Sequence, residues 1–70
     1  MNEESVVPSY QQRVIDEKAG VDDNLRKLRT FFGTPTFNEL TGAEQGRLER
    51  QAVIMAQYSE VLGERIEAFQ

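Results

Sequence analysis

A short break near the middle of this chain separates two long amphipathic segments, and this layout constrains the fold more than any other feature. The segments run from Ser9 to Phe32 and from Thr41 to Phe69, with Gly33-Thr34-Pro35 between them. Apolar residues recur at helical spacing in both segments, and glycine and proline commonly end helices. The sequence therefore predicts an all-α fold, an antiparallel helical hairpin over residues 9–70, with a flexible N-terminal arm over residues 1–8.

A hairpin of this length has too little core to be stable without further support. A chain of 70 residues buries only about 60% of its unfolded surface and usually needs a staple or a partner. The chain contains no Cys and no His, so a disulfide is excluded, and neither a zinc site nor another metal or cofactor is expected. We therefore expect the hairpin to assemble into a helical homo-oligomer.

The first segment combines a heptad-like seam with signals for both helix ends. Its seam consists of Val14, Lys18, Val21, Leu25, Leu28 and Phe32, and lysine is the unusual member. Ser9 and Gln12 have the spacing of a capping box. Asp22 and Arg26 have the order of a favourable i,i+4 ion pair. Gly33 is expected to end the helix in the left-handed conformation.

The segment between the helices contains a second set of capping signals. Thr36 to Leu40 is expected to form a single helical turn that closes this end of the hairpin. Thr36 with Glu39 and Thr41 with Glu44 both have capping spacing, so the second helix has two possible starting points.

The second segment carries two apolar stripes. Its main seam consists of Leu48, Ala52, Met55, Ser59, Leu62, Ile66 and Phe69. A second stripe consists of Ile54, Tyr58 and Val61, with Val53 beside it. One partner helix cannot cover both stripes, and burial between subunits is the interpretation that we favour. The alternative is scattered surface apolar residues, which are common.

Composition excludes several classes of function. The formal net charge is -4, from eight basic and twelve acidic residues, so the broad basic field needed for duplex nucleic acid is missing. No apolar run approaches the roughly 20 residues that span a bilayer. The acidic N-terminus does not resemble a signal peptide. No nucleophile–base pair, phosphate loop or Glu-x-x-His motif is present, so enzyme activity is not expected.

One polar stripe on the first helix has the chemistry of a binding surface. It consists of Tyr10, Arg13, Glu17, Gly20, Asn24 and Lys27, which offer a ring, cations, an amide and a glycine typical of close approach. Tyr10 and Lys27 are about 25 Å apart along one helix, so only an antiparallel neighbour would bring them together. An ordinary polar flank is the alternative. Arg65 likewise suits either the helix dipole or an anion pocket between subunits.

The residues themselves resemble a known family. The first helix contributes Arg13-Val14-Ile15-Asp16-Glu17-Lys18, Leu25, Lys27-Leu28 and Phe31. The second contributes Glu44-Gln45, Arg47-Leu48, Gln51, Met55, Tyr58 and Leu62-Gly63-Glu64-Arg65-Ile66. These stretches, spread over residues 9–69, resemble the helical hairpin of phage anti-CBASS cyclic-nucleotide sponges, which a Thoeris anti-defence sponge shares.

The resemblance implies a homohexamer in the cytoplasm of the host bacterium. It would bind cyclic dinucleotides, with cyclic trinucleotides as a further ligand class at separate sites, and would block immune signalling without cleaving them. In this family Tyr10 would stack on a base, Lys27 would pair with phosphate and Arg65 would serve the trinucleotide pocket. Asn24 stands where a further lysine is expected, and Arg26 is its candidate substitute.

Two other functions remain open at this point. A helical interaction protein would inhibit a host protein through the stripe of Ile54, Tyr58 and Val61, and would be monomeric or dimeric when purified alone. A metal-dependent enzyme would require stoichiometric binding of a divalent metal.

Overall fold

The computed structural model describes residues 8–69 and shows an all-helical hairpin. Helix α1 spans Ser9–Phe31, a single turn α2 spans Pro35–Asn38, and α3 spans Gly42–Glu67. The long helices α1 and α3 pack antiparallel, as the two amphipathic segments predicted. Both end slightly before the predicted residues, Phe32 and Phe69. Residues 1–7 of the expected arm, and Gln70, lie outside the described residues.

The capping box predicted at the start of α1 is wrong. Pro8 is the residue that precedes the helix, and no side chain caps it. The Pro8 carbonyl accepts from the amides of Gln11 and Gln12 at 3.0 and 3.1 Å. Ser9 is thus the first helical residue rather than the cap. The Gln12 side chain points along the helix instead and donates to Asp16 Oδ1 at 2.9 Å.

The left-handed cap predicted at Gly33 is also wrong, because no described glycine has a positive φ. The chain leaves α1 in a right-handed turn instead, with Phe32 at φ -59° and ψ -23°. The Gly33 amide donates to Thr30 O at 3.1 Å and the Thr34 amide to Phe31 O at 3.0 Å. These bonds satisfy the last carbonyls of α1 without a left-handed residue.

Threonines cap both later helices. Thr34 Oγ1 accepts from the Phe37 amide at 3.3 Å, so α2 begins earlier than the predicted Thr36. Thr41 Oγ1 accepts from the Glu44 amide at 3.1 Å. Of the two possible starts for the second long helix, the structure therefore shows the Thr41/Glu44 cap.

The apolar core follows the two predicted seams but is small. Its buried apolar members are Val14, Leu25, Phe37, Ala52 and Leu62. At the closed end, the Phe37 ring lies 5.8 Å from Phe31 and 5.0 Å from Phe32, which confirms its predicted role there. The molecule is only 13 Å across its thinnest dimension, close to the diameter of one helix, about 10–12 Å. The hairpin therefore forms a single layer, with much of α3 uncovered.

The lysine in the first seam belongs to a polar clamp formed by Lys18, Asp22 and Ser59. Lys18 Nζ lies 2.9 Å from both Asp22 Oδ2 and Ser59 Oγ, and the buried Ser59 hydroxyl donates to Asp22 Oδ1. Asp22 thus pairs with Lys18 and not with the predicted Arg26. Gly63 of α3 leaves room for the Lys18 side chain, because a Cβ at this position would lie only 3.2 Å from Lys18 Cε. The clamp therefore satisfies a buried hydroxyl and holds α1 in register with α3.

The clamp makes the stability of the hairpin dependent on pH. Hydrogen bonds from Ser59 and then Lys18 hold the pKa of Asp22 below its ordinary value of 3.8. Because the folded-state pKa is depressed, this stabilisation is present above pH 3.8 and is lost as the pH falls through the folded-state pKa.

We therefore expect Ser59→Ala to lower the urea midpoint of unfolding at neutral pH. The difference in midpoint from wild type should become smaller as the pH falls below 3.8, because Asp22 is then increasingly protonated in both proteins. Urea titrations monitored by circular dichroism at a series of pH values test this. Ser9→Ala is the matched control, because Ser9 makes no capping bond. A difference from wild type that stays constant across the acid range would contradict the role of Asp22.

Candidate ligand-binding surface

The Tyr10 ring lies at the open end of the hairpin, where α1 begins and α3 ends. It meets the Phe69 ring edge to face, with centroids 6.0 Å apart and planes at 76°. Gln11 Nε2 donates to the Tyr10 hydroxyl oxygen at 3.3 Å. The Tyr10 side chain nevertheless remains 54% exposed. Phe69 thus orients the ring while leaving area on which a base could stack.

Lys27 and Arg26 lie further along α1 and share one carboxylate. Arg26 Nη2 lies 2.6 Å from Asp23 Oδ1, and Lys27 Nζ lies 3.1 Å from Asp23 Oδ2. Arg26 first and Lys27 second lower the pKa of Asp23 below its ordinary value. All three side chains are about half exposed or more. Such exposed pairs contribute about 0–1 kcal/mol each, so an incoming phosphate can compete for either cation.

The structure does not place Arg26 on the same side of α1 as Asn24. Residues two positions apart on a helix point in widely different directions, whereas Asn24 and Lys27, three apart, share a face. Arg26 instead lines a surface groove of about 470 Å³ whose other lining residues are Asp22, Leu25, Arg29 and Thr30. This groove was not predicted from the sequence, although its lining residues recur at spacings of three and four, which place them on one face of α1.

Arg65 lies in the last turn of α3, at the same end of the hairpin as Tyr10. It is exposed and forms no salt bridge within residues 8–69. The candidate residues therefore fall into two groups within the chain. Tyr10 and Arg65 lie at the open end, whereas Asn24, Arg26 and Lys27 lie well along α1 toward the closed end.

The close approach expected at Gly20 is not made within one chain, because nothing lies within 4 Å of a Cβ built there. The second apolar stripe of α3 is also uncovered. Ile54 is 56% exposed, Tyr58 43% and Val61 51%. The single chain thus leaves both the glycine face of α1 and the apolar stripe of α3 exposed.

Two classes of site are not found in the described part of the chain. It contains no group of Asp, Glu, His or Cys side chains placed to hold a metal ion. None of the helices there has the length and apolar character needed to cross a membrane.

Comparison with family models shows which family the chain belongs to. A model of the Sequestin family matches residues 8–68, nearly the whole length. The chain belongs to the Sequestin family. No curated protein and no solved structure gives a significant match. The Sequestin name suggests that members sequester a ligand, which agrees with the sponge expected from the resemblance. The match also covers both long helices and all five candidate residues.

Proposed function

We propose that this protein is a phage anti-defence protein that sequesters cyclic oligonucleotide second messengers without cleaving them. Cyclic dinucleotides are the first ligand class and cyclic trinucleotides the second. Acting in the cytoplasm of the host bacterium, it would deprive CBASS effectors of their activating signal. The Sequestin match over residues 8–68 carries the proposal, and the resemblance of residues 9–69 to cyclic-nucleotide sponges supplies the ligand class.

The exposed Tyr10 ring supports a nucleotide as the ligand. Stacking of a base on an aromatic side chain contributes about 1–3 kcal/mol and tolerates any base. Lys27 is exposed and held only by an exposed ion pair with Asp23, so its ammonium group is accessible to phosphate. The net charge of -4 disfavours binding of long nucleic acids. A compact anion, in contrast, needs only a local cation such as Lys27.

Binding without cleavage is consistent with the side chains present. The chain has no His or Cys, which removes the commonest general base and the most reactive nucleophile. A sponge needs affinity alone, and rigid pockets between helices would limit the ordering cost of binding.

Assembly would complete the pocket. The protein would form a homo-oligomer, a hexamer by resemblance, in which an antiparallel neighbour brings its Lys27 beside Tyr10. The exposed stripe of Ile54, Tyr58 and Val61 supplies apolar area for such contacts. The open face at Gly20 would let a neighbouring helix approach closely.

Calorimetric titration with a panel of cyclic di- and trinucleotides tests the proposal. We expect tight binding, and chromatography should recover the ligand intact. Tyr10→Ala should weaken dinucleotide binding about tenfold to a hundredfold, because it removes the stacking surface. Lys27→Ala should also weaken binding, since it removes a phosphate partner.

Two control variants accompany these substitutions. Tyr10→Phe keeps the ring and should retain most of the affinity. Arg29→Ala removes an exposed arginine two positions from Lys27, on another side of α1, and should be neutral. A wild-type protein that binds no member of the panel would contradict the function. Unchanged affinity in both Tyr10→Ala and Lys27→Ala would contradict the site.

The exposed apolar stripe of α3 favours one second candidate. An amphipathic helix with such a stripe can dock into an apolar groove of another protein. A chain that is monomeric, binds no cyclic nucleotide and leaves Ile54, Tyr58 and Val61 uncovered would fit an inhibitor of a host protein better than a sponge.

A further inference from the structure

A single carboxylate on α1 contacts two cations, and we name Asp23, Arg26 and Lys27 the Asp23 bridge. Arg26 and Lys27 follow Asp23 by three and four residues, so the three side chains meet across one turn of the helix. Each carboxylate oxygen contacts one cation. Oδ1 lies 2.6 Å from Arg26 Nη2, and Oδ2 lies 3.1 Å from Lys27 Nζ. The charge of one aspartate is therefore shared between an arginine and a lysine.

The bridge holds Arg26 more closely than Lys27. The contact between Asp23 and Arg26 is the shorter of the two, and Arg26 is also the larger cause of the lowered pKa of Asp23. A guanidinium can donate to both oxygens of a carboxylate, whereas an ammonium group acts as a point charge. If Lys27 turns away, Asp23 can therefore remain paired with Arg26.

Asp23 competes with an anionic ligand for Lys27. In the described part of the chain, no other carboxylate lies within 4.0 Å of the Lys27 ammonium group. The neighbouring Asp22 is engaged in the polar clamp with α3 instead. Carboxylate and phosphate oxygens both accept charge-assisted hydrogen bonds from lysine. A phosphate that reaches Lys27 must either displace Asp23 or bind beside a like charge, and both weaken its binding.

Arg26 reduces this competition although it does not lie on the binding stripe. It is two positions from Asn24, on a different side of α1, so a ligand on the stripe of Asn24 and Lys27 need not contact it. Its guanidinium nevertheless neutralises part of the Asp23 charge and gives the carboxylate a second partner. Loss of Arg26 would leave Asp23 with Lys27 alone, and the lysine would then leave the carboxylate less easily.

We propose that the Asp23 bridge sets the affinity of Lys27 for phosphate. Asp23 restrains the lysine, and Arg26 is a positioning residue that weakens this restraint. Arg26 thus favours ligand binding through Asp23 and not through a contact of its own. The inference rests on the proposed function, in which Lys27 pairs with a phosphate of the cyclic nucleotide. It replaces the sequence-based expectation that Arg26 substitutes directly for a lysine at the position of Asn24.

A double-mutant cycle tests the bridge. Calorimetry would compare wild type, Asp23→Asn, Arg26→Ala and the double variant, each titrated with cyclic di-AMP and cyclic GMP–AMP. We expect Asp23→Asn to bind about twofold to fivefold more tightly and Arg26→Ala to bind more weakly by a similar factor, the range that exposed ion pairs produce. The double variant should bind as Asp23→Asn does, because Arg26 then has no carboxylate at residue 23 on which to act.

Glu39→Gln is the matched control for the loss of one negative charge. Glu39 is exposed in the turn between the long helices, and in the described residues no cation lies within 4.0 Å of it. This variant should bind as wild type does, whereas an effect of net charge alone would tighten binding equally in both variants.

Two results of the cycle would overturn the proposal. The first is an Asp23→Asn variant that binds no more tightly than wild type. The second is an Arg26→Ala substitution that weakens binding by the same factor whether residue 23 is aspartate or asparagine, since Arg26 would then act on the ligand independently of the bridge.

The outcomes distinguish failure of the bridge from failure of the proposed function. A wild-type protein that binds no cyclic nucleotide contradicts the function, and inorganic pyrophosphate then serves as the anionic probe. NMR of the Lys27 side chain would follow pyrophosphate binding to wild type, Asp23→Asn and Arg26→Ala. The same order of affinity supports the bridge, and binding that is undetectable, or equal in all three, overturns it.

The pKa of Asp23 supplies a test that needs no ligand. Carbon NMR titration of its carboxyl group should show a pKa below the ordinary value of 3.8 in wild type. This pKa should rise more in Arg26→Ala than in Lys27→Ala, because Arg26 is the closer partner. An equal or larger rise in Lys27→Ala would show that Asp23 holds the lysine at least as tightly as the arginine, which would contradict the proposal.

Discussion

Replacing Leu62 with alanine should destabilise the protein more than any other single truncation in α3. Leu62 is the largest fully buried side chain, with no exposed area. Truncation of a buried leucine costs about 2–5 kcal/mol, through lost transfer energy and the cavity that remains. A core in a chain of this size rarely supplies more than about 3–5 kcal/mol. Leu62→Ala should therefore leave a large fraction of the protein unfolded in the absence of ligand.

Urea denaturation monitored by circular dichroism measures this effect. Val53→Ala is the matched control, because it shortens another aliphatic side chain of α3 that is largely exposed. The control should change the free energy of unfolding by less than about 0.5 kcal/mol. Equal midpoints for Leu62→Ala and Val53→Ala would show that the core does not centre on Leu62. Repeating both titrations at several protein concentrations would separate the core from any contribution of assembly.

Introducing charge into the second apolar stripe should break the proposed oligomer into single chains. Ile54→Glu with Val61→Glu places two carboxylates on a face that assembly would bury, and burial of unpaired charge costs several kcal/mol. Glutamate forms helices at least as well as isoleucine and valine, so the hairpin itself should remain folded. Light scattering after size exclusion should change from an oligomeric mass to that of the 8.0 kDa chain.

A charge-matched control separates the stripe from net charge. Ala19→Glu with Asn38→Glu adds the same two charges at exposed positions outside α3, and this variant should keep the wild-type mass. If subunits complete each other's pockets, the stripe variant should also lose cyclic-nucleotide affinity. A wild-type chain that is already monomeric would contradict assembly through this stripe and would favour the host-protein inhibitor.

The all-helical hairpin was predictable because it rests on local patterns. Apolar residues at spacings of three, four and seven mark one face of a helix wherever the chain folds. Leu25, Ala52 and Leu62 were therefore assigned to the core without knowledge of their partners. The capping predictions were less reliable. Thr41 caps α3 as predicted, but Pro8 and Phe32 replace Ser9 and Gly33 at the ends of α1, since several nearby residues can satisfy the same free backbone groups.

The candidate site was only partly predictable for a related reason. Spacing places Tyr10, Asn24 and Lys27 along one stripe of α1, and two-residue separation already removes Arg26 from that stripe. Spacing along one helix cannot show which residues of the other helix lie opposite. Phe69 was therefore predicted as a seam residue, and its contact with Tyr10 became visible only in the folded hairpin.

The sequence by itself determined the two helices, their core faces and the break between them, because each depends on residues within a few turns of one another. Only the tertiary structure decided the register of α1 against α3. That register pairs Lys18 and Asp22 with Ser59, and Tyr10 with Phe69. Helical periodicity is compatible with several registers, whereas hydrogen bonding of a buried hydroxyl and contact between two rings are satisfied in few of them.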